Sequence, residues 1–386
     1  MLASPTGTFH AVPVAMFFGT FAWSFVYASL PFHIQAISTA DPAATLRWTG
    51  WILGISNLVT VVVGPFWGRW AERSDPRRLY VVVELLQGLA FFGMALARTL
   101  PELFLARLVL GLMGAASTFA FVMAGRAGDA PTVQRHVAAV QSAMTVGQVI
   151  GPLAGAIAAA RLGFRPSFVL GGAILIACSA LVAWTVPRMP PAPVVRGAAR
   201  PARPADVAAV ACVVLAGNMQ VFFLAAILPQ VLPDLDVPAA RTLEVGGVLL
   251  FVSGVAAALG AVAAPRLVER VAERRLIAAL LIGSSLSLAA LALAGSVWLY
   301  GAIRFLQVLC IAPVFPVVVA GIAHRAGGQA IGVINSARIG AAFVGPVVAT
   351  TVLAAAPAAV LYVLLAATGL ACVPLARRRR HPPASA

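Results

Sequence analysis

Twelve apolar stretches, each about 20 residues long and bounded by charged residues or Pro/Gly breaks, decide what this chain of 386 residues can become. They run from Val12 to Pro31, Trp48 to Trp67, Leu79 to Ala97, Leu103 to Gly125, Val137 to Ala160 and Phe164 to Val186. The second six run from Val207 to Leu232, Leu243 to Ala264, Leu276 to Gly295, Trp298 to Ala323, Ala330 to Ala354 and Ala358 to Leu375. A backbone entering hydrocarbon must satisfy its own N–H and C=O groups, so stretches of this length predict transmembrane helices, helix 1 to helix 12. Composition agrees: 61% of residues are hydrophobic and 10% charged, against about a quarter charged in an aqueous globular protein. A disordered chain, a secreted disulfide scaffold and an ordinary cytosolic enzyme are excluded by the same figures. Connections of about twelve residues leave no room for a separate soluble domain. The first stretch is too long, and lacks the basic start, for a cleaved signal peptide, so it is expected to remain as a helix. Cys178, Cys212, Cys310 and Cys372 stand singly, with neither disulfide nor metal-ligand spacing.

The net charge of +15 would direct a soluble protein to nucleic acid, but here the arginines sit in short runs between apolar stretches. With the N-terminus cytoplasmic, 19 arginines fall in cytoplasmic segments and five, Arg47, Arg98, Arg161, Arg165 and Arg241, on the other side. That bias predicts a multi-pass protein of the cytoplasmic (inner) membrane with both termini inside, and no nucleic-acid partner. Arg107, Arg304 and Arg338 remain, all inside predicted spans.

The Pro-, Ala- and Arg-rich stretch from Pro187 to Asp206 divides the chain almost in half and has the composition of a solvated linker. An offset of 197 residues superimposes Arg69, Glu72, Arg73, Arg77, Arg78 and Arg107 on Arg266, Glu269, Arg270, Arg274, Arg275 and Arg304. At 194, Gln141, Gly151 and Pro152 fall on Asn335, Gly345 and Pro346. These matches predict an internal duplication of six helices, both copies facing the same way because six is even. The expected organisation is an N-terminal six-helix bundle over 1–187, a cytoplasmic linker over 188–205 and a C-terminal six-helix bundle over 206–386.

Three local motifs sharpen this pattern. Between helices 2 and 3 lies Gly68-Arg-Trp-Ala-Glu72-Arg73-Ser-Asp75-Pro-Arg77-Arg78, echoed by Glu269-Arg270 between helices 8 and 9. Its glycine permits close helix approach, and an acid among arginines can form ion pairs that hold one arrangement of the halves and break in another. Helix 4 carries Arg107-Leu-Val-Leu-Gly111-Leu-Met-Gly114, an arginine too deep to be tolerated unless it faces protein, water or a partner. Helix 5 carries Gly147-Gln-Val-Ile-Gly151-Pro152-Leu-Ala-Gly155, echoed by Gly345-Pro346 in helix 11. Glycines four apart make a groove for a neighbouring helix, and the proline bends its own.

Together these features resemble the major facilitator superfamily, whose fold is all-α, with 12 transmembrane helices in two pseudo-symmetric six-helix bundles. The resemblance implies that the first motif is the family's cytoplasmic gating loop, with Glu72 standing where Asp is usual. It also implies that the helix 4 arginine serves proton coupling and that the helix 5 motif is of the type associated with exporting antiporters. It further implies transport without a cofactor, driven by a proton gradient, and function as a monomer.

A proton-coupled carrier needs a group that gains and loses a proton as access alternates. Glu84, well inside helix 3, is the first candidate, with Arg107 and Asp129 beside it in the expected coupling set. Pairing with nearby loop arginines is an equally open role for Glu84 and the favoured one for Asp129. His33 at the outer end of helix 1 is a weaker candidate. Arg338 replaces the matched Met144 of the first half, which points to an anionic substrate group or a coupling carboxylate as its partner. A cavity between the halves is expected to be lined by Trp23, Tyr27, Asn57, Gln141, Gln148, Asn218, Gln220, Arg304, Asn335 and Arg338.

The expected function is secondary active export of a small organic molecule by proton antiport with alternating access. The alternative is an uptake carrier or facilitator for a sugar, organic acid or siderophore-like metabolite. An enzyme is not expected, since no metal-ligand spacing, phosphate-cradling loop or nucleophile with a base is present.

Overall fold

The computed structural model describes residues 9–126, 129–189, 204–323 and 328–377. Within them every regular element is helical, and eleven helices, or twelve with one bent pair counted as a span, are long and apolar enough to cross a membrane. Helix 1 is that pair, Ala11–Tyr27 and Leu30–Ile37, bent by 41°. It runs past the predicted end at Pro31, because Pro31 sits in the first turn of the second segment, where its missing N–H breaks no ladder bond.

Helix 2 is Pro42–Arg73, helix 3 Pro76–Leu96, helix 5 Ala130–Leu162 and helix 6 Phe164–Thr185. Helix 4 is broken into Leu100–Leu112 and Ala116–Gly125. Helix 7 is Pro204–Asp234, helix 8 Thr242–Arg270, helix 9 Glu273–Ala290, helix 11 Gly328–Leu353 and helix 12 Ala358–Ala371. Helix 10, the repeat partner of helix 4, is broken in the same way into Val297–Ile311 and Val314–Ala323.

Short polar signals start these helices. Asp41, Asp75 and Asp129 cap helices 2, 3 and 5, each accepting a hydrogen bond from a first-turn N–H and each followed closely by proline. Thr99 and Glu102 form a reciprocal capping box at helix 4. Gly163, at φ +90°, makes the tight turn from helix 5 to helix 6 that a side chain would strain.

In the first half, helix 1 packs on helices 5 and 6, helix 2 on helix 4 and helix 3 on helix 6. In the second, helix 7 packs on helix 11, helix 8 on helix 10 and helix 9 on helices 10 and 12. The halves meet along two seams, helix 2 against helix 11 and helix 5 against helix 8. The apolar core is asymmetric along the bundle axis. At the end holding the turns 27–30, 96–100 and 234–242, one buried cluster runs through both halves, from Phe25 and Phe91 to Phe223 and Leu361. Toward the basic end, where helices 2 and 8 finish in Arg73 and Arg270, the buried residues divide into two clusters, one per half. Most of the linker expected over 188–205, together with Arg325 and Arg378–Arg380, lies outside the described residues.

Candidate functional site: the seam between the halves

A single stripe on helix 2, spaced three and four residues apart, shows how the seam works. At Gly50 and Gly54 helix 11 is so near that an added Cβ would collide: Gly50 faces Pro346, Val347 and Thr350, and a Cβ on Gly54 would lie 2.7 Å from Phe343 Cδ2. Asn57 follows, its Nδ2 donating to Ala342 O at 3.4 Å. Two turns further along the stripe, Gly64 and Gly68 have no described atom within 4 Å of the Cβ position. Helix 8 repeats the arrangement against helix 5, with Gly247 facing Pro152, Leu153 and Ala156 and Gly254 facing Val149. Gly50 and Gly247 are 197 residues apart, while Pro152 and Pro346 are 194 apart, so both seams close on the same repeat positions. The interface is therefore shut at one end and parted toward the basic end.

The helix 5 motif works as its spacing predicts, but inside its own half. Gly147, Gly151 and Gly155 lie against helix 1 at Phe17, Phe21, Ser24 and Phe25, so closely that backbone meets backbone. Gly345 does the same for helix 7, a Cβ there standing 3.3 Å from Met219 O.

The charged residues of the membrane interior separate into two environments. Arg107 is 3% exposed and donates from Nε to Ile52 O and from Nη2 to Leu53 O in helix 2, with its guanidinium 5.8 Å from the Trp23 ring. Trp23 in turn donates to Gln87 Oε1 at 2.6 Å, and Gln87 to Met113 O at the break in helix 4. The Tyr27 hydroxyl is buried without a partner. In the second half Arg304 donates to Ser253 Oγ, Gln220 O, Val221 O and Gln307 Oε1, under the Phe223 ring at 5.0 Å. Gln220 accepts from Ser284 and donates to Leu365 O. The expectation that Gln220 and Arg304 line the cavity is thus corrected: at 0% and 1% exposed they form an internal knot tying helix 7 to helices 8, 9, 10 and 12. Rotation of helices 7 and 10 turns them into their own half.

Glu84 is buried, 1% exposed, on helix 3 behind helix 1. Its Oε1 accepts from the Tyr80 hydroxyl at 3.3 Å and Oε2 has no partner. A Cβ on Gly19 of helix 1 would stand 2.6 Å from Oε1, so the carboxyl fills the space that glycine leaves. It does not pair with the loop arginines, which corrects that open role. Asp129 is corrected too: it is an exposed helix cap at the basic end, outside the spans, where Thr132, through its side chain first and also its backbone N–H, holds its carboxyl below the usual range. His33 is packed between Phe164 and Phe168, with ring distances of 5.3 and 5.1 Å.

Around the parted end, Gln141, Gln148 and Asn335 are exposed, while Asn218 and Arg338 are half-buried. Asn218 donates to Val214 O in its own helix, and Arg338 stands over the Phe315 ring at 5.1 Å. In the loop between helices 2 and 3, Asp75 accepts from the N–H groups of Arg77 and Met189 and pairs with Arg78 at 3.9 Å. Arg77 donates to Ala183 O of helix 6. Arg73, Glu269 and Arg270 are exposed, and the side chain of Glu72 lies outside the described residues. The described loop contacts tie the loop to its own half, not across the seam.

Gly50, Gly54, Gly247, Gln87, Ser284 and Gln307 were not foreseen. The repeat offset held the signal for four of them, since 197 residues join Gln87 to Ser284 and Gly50 to Gly247, as they do Trp23 to Gln220.

This geometry has known relatives. The model of the Major Facilitator Superfamily matches residues 14–243. The multidrug resistance protein MdtG of Citrobacter koseri is 26% identical over 329 residues, spanning 82% of this chain and 79% of its own. MdtG of Enterobacter lignolyticus is 25% identical over 324 residues, spanning 81% and 76%. Among solved structures, the nucleoside transporter NupG superimposes with a TM-score of 0.75 at 12% identity over 96% of this chain and 99% of that one. The human organic anion transporter MFSD10 does so at 0.71 and 15% identity over 97% and 100%. The twelve helices, the duplicated seam and these matches lead to one conclusion: the chain belongs to the Major Facilitator Superfamily and is a multi-pass membrane transporter, not an enzyme.

Proposed function

We propose that the protein exports a small organic molecule across the cytoplasmic membrane in exchange for protons, by alternating access, and that its inward-open state is the one described above. The observation that carries this reading is the divided core: apolar packing joins the halves at one end and parts into two clusters at the other. The arginine bias supports a cytoplasmic position for the parted end and for both termini. An exporter loads its cargo from that side. The resemblance to multidrug resistance proteins supports outward movement of organic molecules.

Glu84 is the proton-binding group in this reading. It is the one acid of the chain well inside a span, and no described cation lies against it. Its Oε1 faces Gly19 of helix 1, and in this reading proton exchange at the carboxyl accompanies movement of helix 1 off that contact. The two bundles, 1–187 and 206–386, rock about the closed seam, and the loops at Gly68–Arg78 and Glu269–Arg270 pair across the halves once the cytoplasmic end shuts. A single chain suffices, with no cofactor beyond the proton gradient.

Inverted vesicles test the proposal. Acidifying their interior should drive accumulation of an exported fluorescent organic probe, and an uncoupler should abolish it. Accumulation indifferent to the uncoupler refutes antiport, and a reporter placing Pro187–Asp206 outside the cell refutes the orientation.

A further inference from the structure

The chamber between the halves holds one kind of charge. Eleven of the twelve acids lie at helix ends or between helices, and the twelfth, Glu84, is sealed behind helix 1. Of the three arginines inside spans, Arg107 and Arg304 are buried and bonded to backbone carbonyls. Arg338 differs from both. It is half-buried, its Nε has no hydrogen-bond partner, and its described contact is the face of Phe315.

Its place on helix 11 aims it at the seam. Asn335, Arg338, Ala342, Gly345 and Ala349 follow one another at helical spacing. Gly345 of this stripe touches helix 7 of its own half, and Ala342 accepts from Asn57 of the opposite half. Arg338 is thus on the line between the halves, one turn toward the basic end from the point where they close, with exposed Asn335 one turn further. Phe315 also walls a cavity of about 30 Å³ with Gly217 and Asn218 of helix 7. A guanidinium whose buried Nε lacks an acceptor, set against an aromatic wall, suits an anion on an apolar body, and repels a cation.

We propose that Arg338 is the anion-binding group of the transport chamber and that the cargo is an amphipathic organic anion. This rests on the export reading above and names its substrate class.

A matched pair of probes tests it: 8-anilinonaphthalene-1-sulfonate and N-phenyl-1-naphthylamine, the same scaffold without the sulfonate. Binding is measured on the full chain in phosphatidylcholine nanodiscs, corrected with empty discs. The wild type should hold the sulfonate about tenfold more tightly than the neutral amine, as expected for one charge-assisted contact. Arg338→Gln should lose that preference and Arg338→Lys should keep most of it, with melting temperatures of both variants near that of the wild type. A preference that survives in Arg338→Gln, or is missing from the wild type, overturns the proposal. Loss of the preference when phosphatidylglycerol is added to the discs assigns the arginine to a lipid headgroup and overturns it likewise. An Arg338-dependent preference without pH-driven movement of any probe in proteoliposomes leaves the anion site standing and refutes the export reading instead.

Discussion

The two halves descend from one pattern, and their buried polar centres show what each has kept. In the second half, Arg304, Gln307, Ser253, Ser284 and Gln220 satisfy one another and the helix 7 carbonyls around a full guanidinium. In the first half the matched arginine, Arg107, makes two carbonyl contacts, and Ser56, the counterpart of Ser253, has a hydroxyl with no partner. Where the second half packs Leu281 against its neighbours, the first carries Glu84, and where the second has Ala216, the first has Gly19. One half is a finished brace; the other keeps an unsatisfied acid opposite a glycine. In hydrocarbon such a group is costly, and the matched positions of the second half, Leu281 and Ala216, avoid that cost.

That contrast can be broken directly. Glu84→Leu makes the first half imitate the second, and the largest effect is expected here: loss of pH-driven accumulation, with downhill movement retained and thermal stability equal or higher, since an apolar group replaces a polar one. Proton-driven accumulation at the wild-type level in reconstituted vesicles would show that Glu84 carries no proton.

Next come the two arginines, compared by thermal unfolding in detergent. At about 0.6 kcal/mol per hydrogen bond between membrane helices, Arg304→Met should cost about 2.5 kcal/mol and Arg107→Met about 1 kcal/mol. Equal losses would show that the second-half knot is no stronger than its counterpart.

The closed seams should respond alike because they use matched glycines. Gly50→Val and Gly247→Val each push on helix 11 or helix 5, and overpacking of about 1–3 kcal/mol should shift the balance toward the state open at the opposite end. Cysteine labelling at Phe343 or Val149 positions would rise several-fold in both variants. A response from one seam alone would refute the symmetric gate.

Smallest is Gly19→Ala, which brings a methyl against Glu84 Oε1. It should destabilise the first half by about 1 kcal/mol, and Glu84→Leu in the same chain should recover most of that. Additive losses in the double variant would mean that the two residues are not in energetic contact.

Much of this could be read from the residues in order. The twelve spans follow from apolar run length, but helices 2, 3 and 5 start at Pro42, Pro76 and Ala130, ahead of the apolar starts at Trp48, Leu79 and Val137, because Asp caps beside prolines begin them. The duplicated architecture follows from arginines recurring at one offset. The site was legible in part. Of the residues expected to line a cavity between the halves, Asn335, Gln141 and Gln148 are exposed and Arg338 half-buried, whereas Gln220 and Arg304 are buried in a knot of their own half. Nothing in a list of polar residues separates the two groups, because each successive position turns about 100° around a helix and the rotation of every helix is set by its neighbours.

The linear chain alone thus determined that the protein crosses a membrane, how often, and in two like copies, since in hydrocarbon each helix satisfies its own backbone and hydropathy settles the matter locally. Only the tertiary structure decided which charges are buried braces, which one is left without a backbone partner, and where the two halves touch. Those depend on where glycine lets two helices touch, and a contact between residues 50 and 350 has no signature in either stretch by itself.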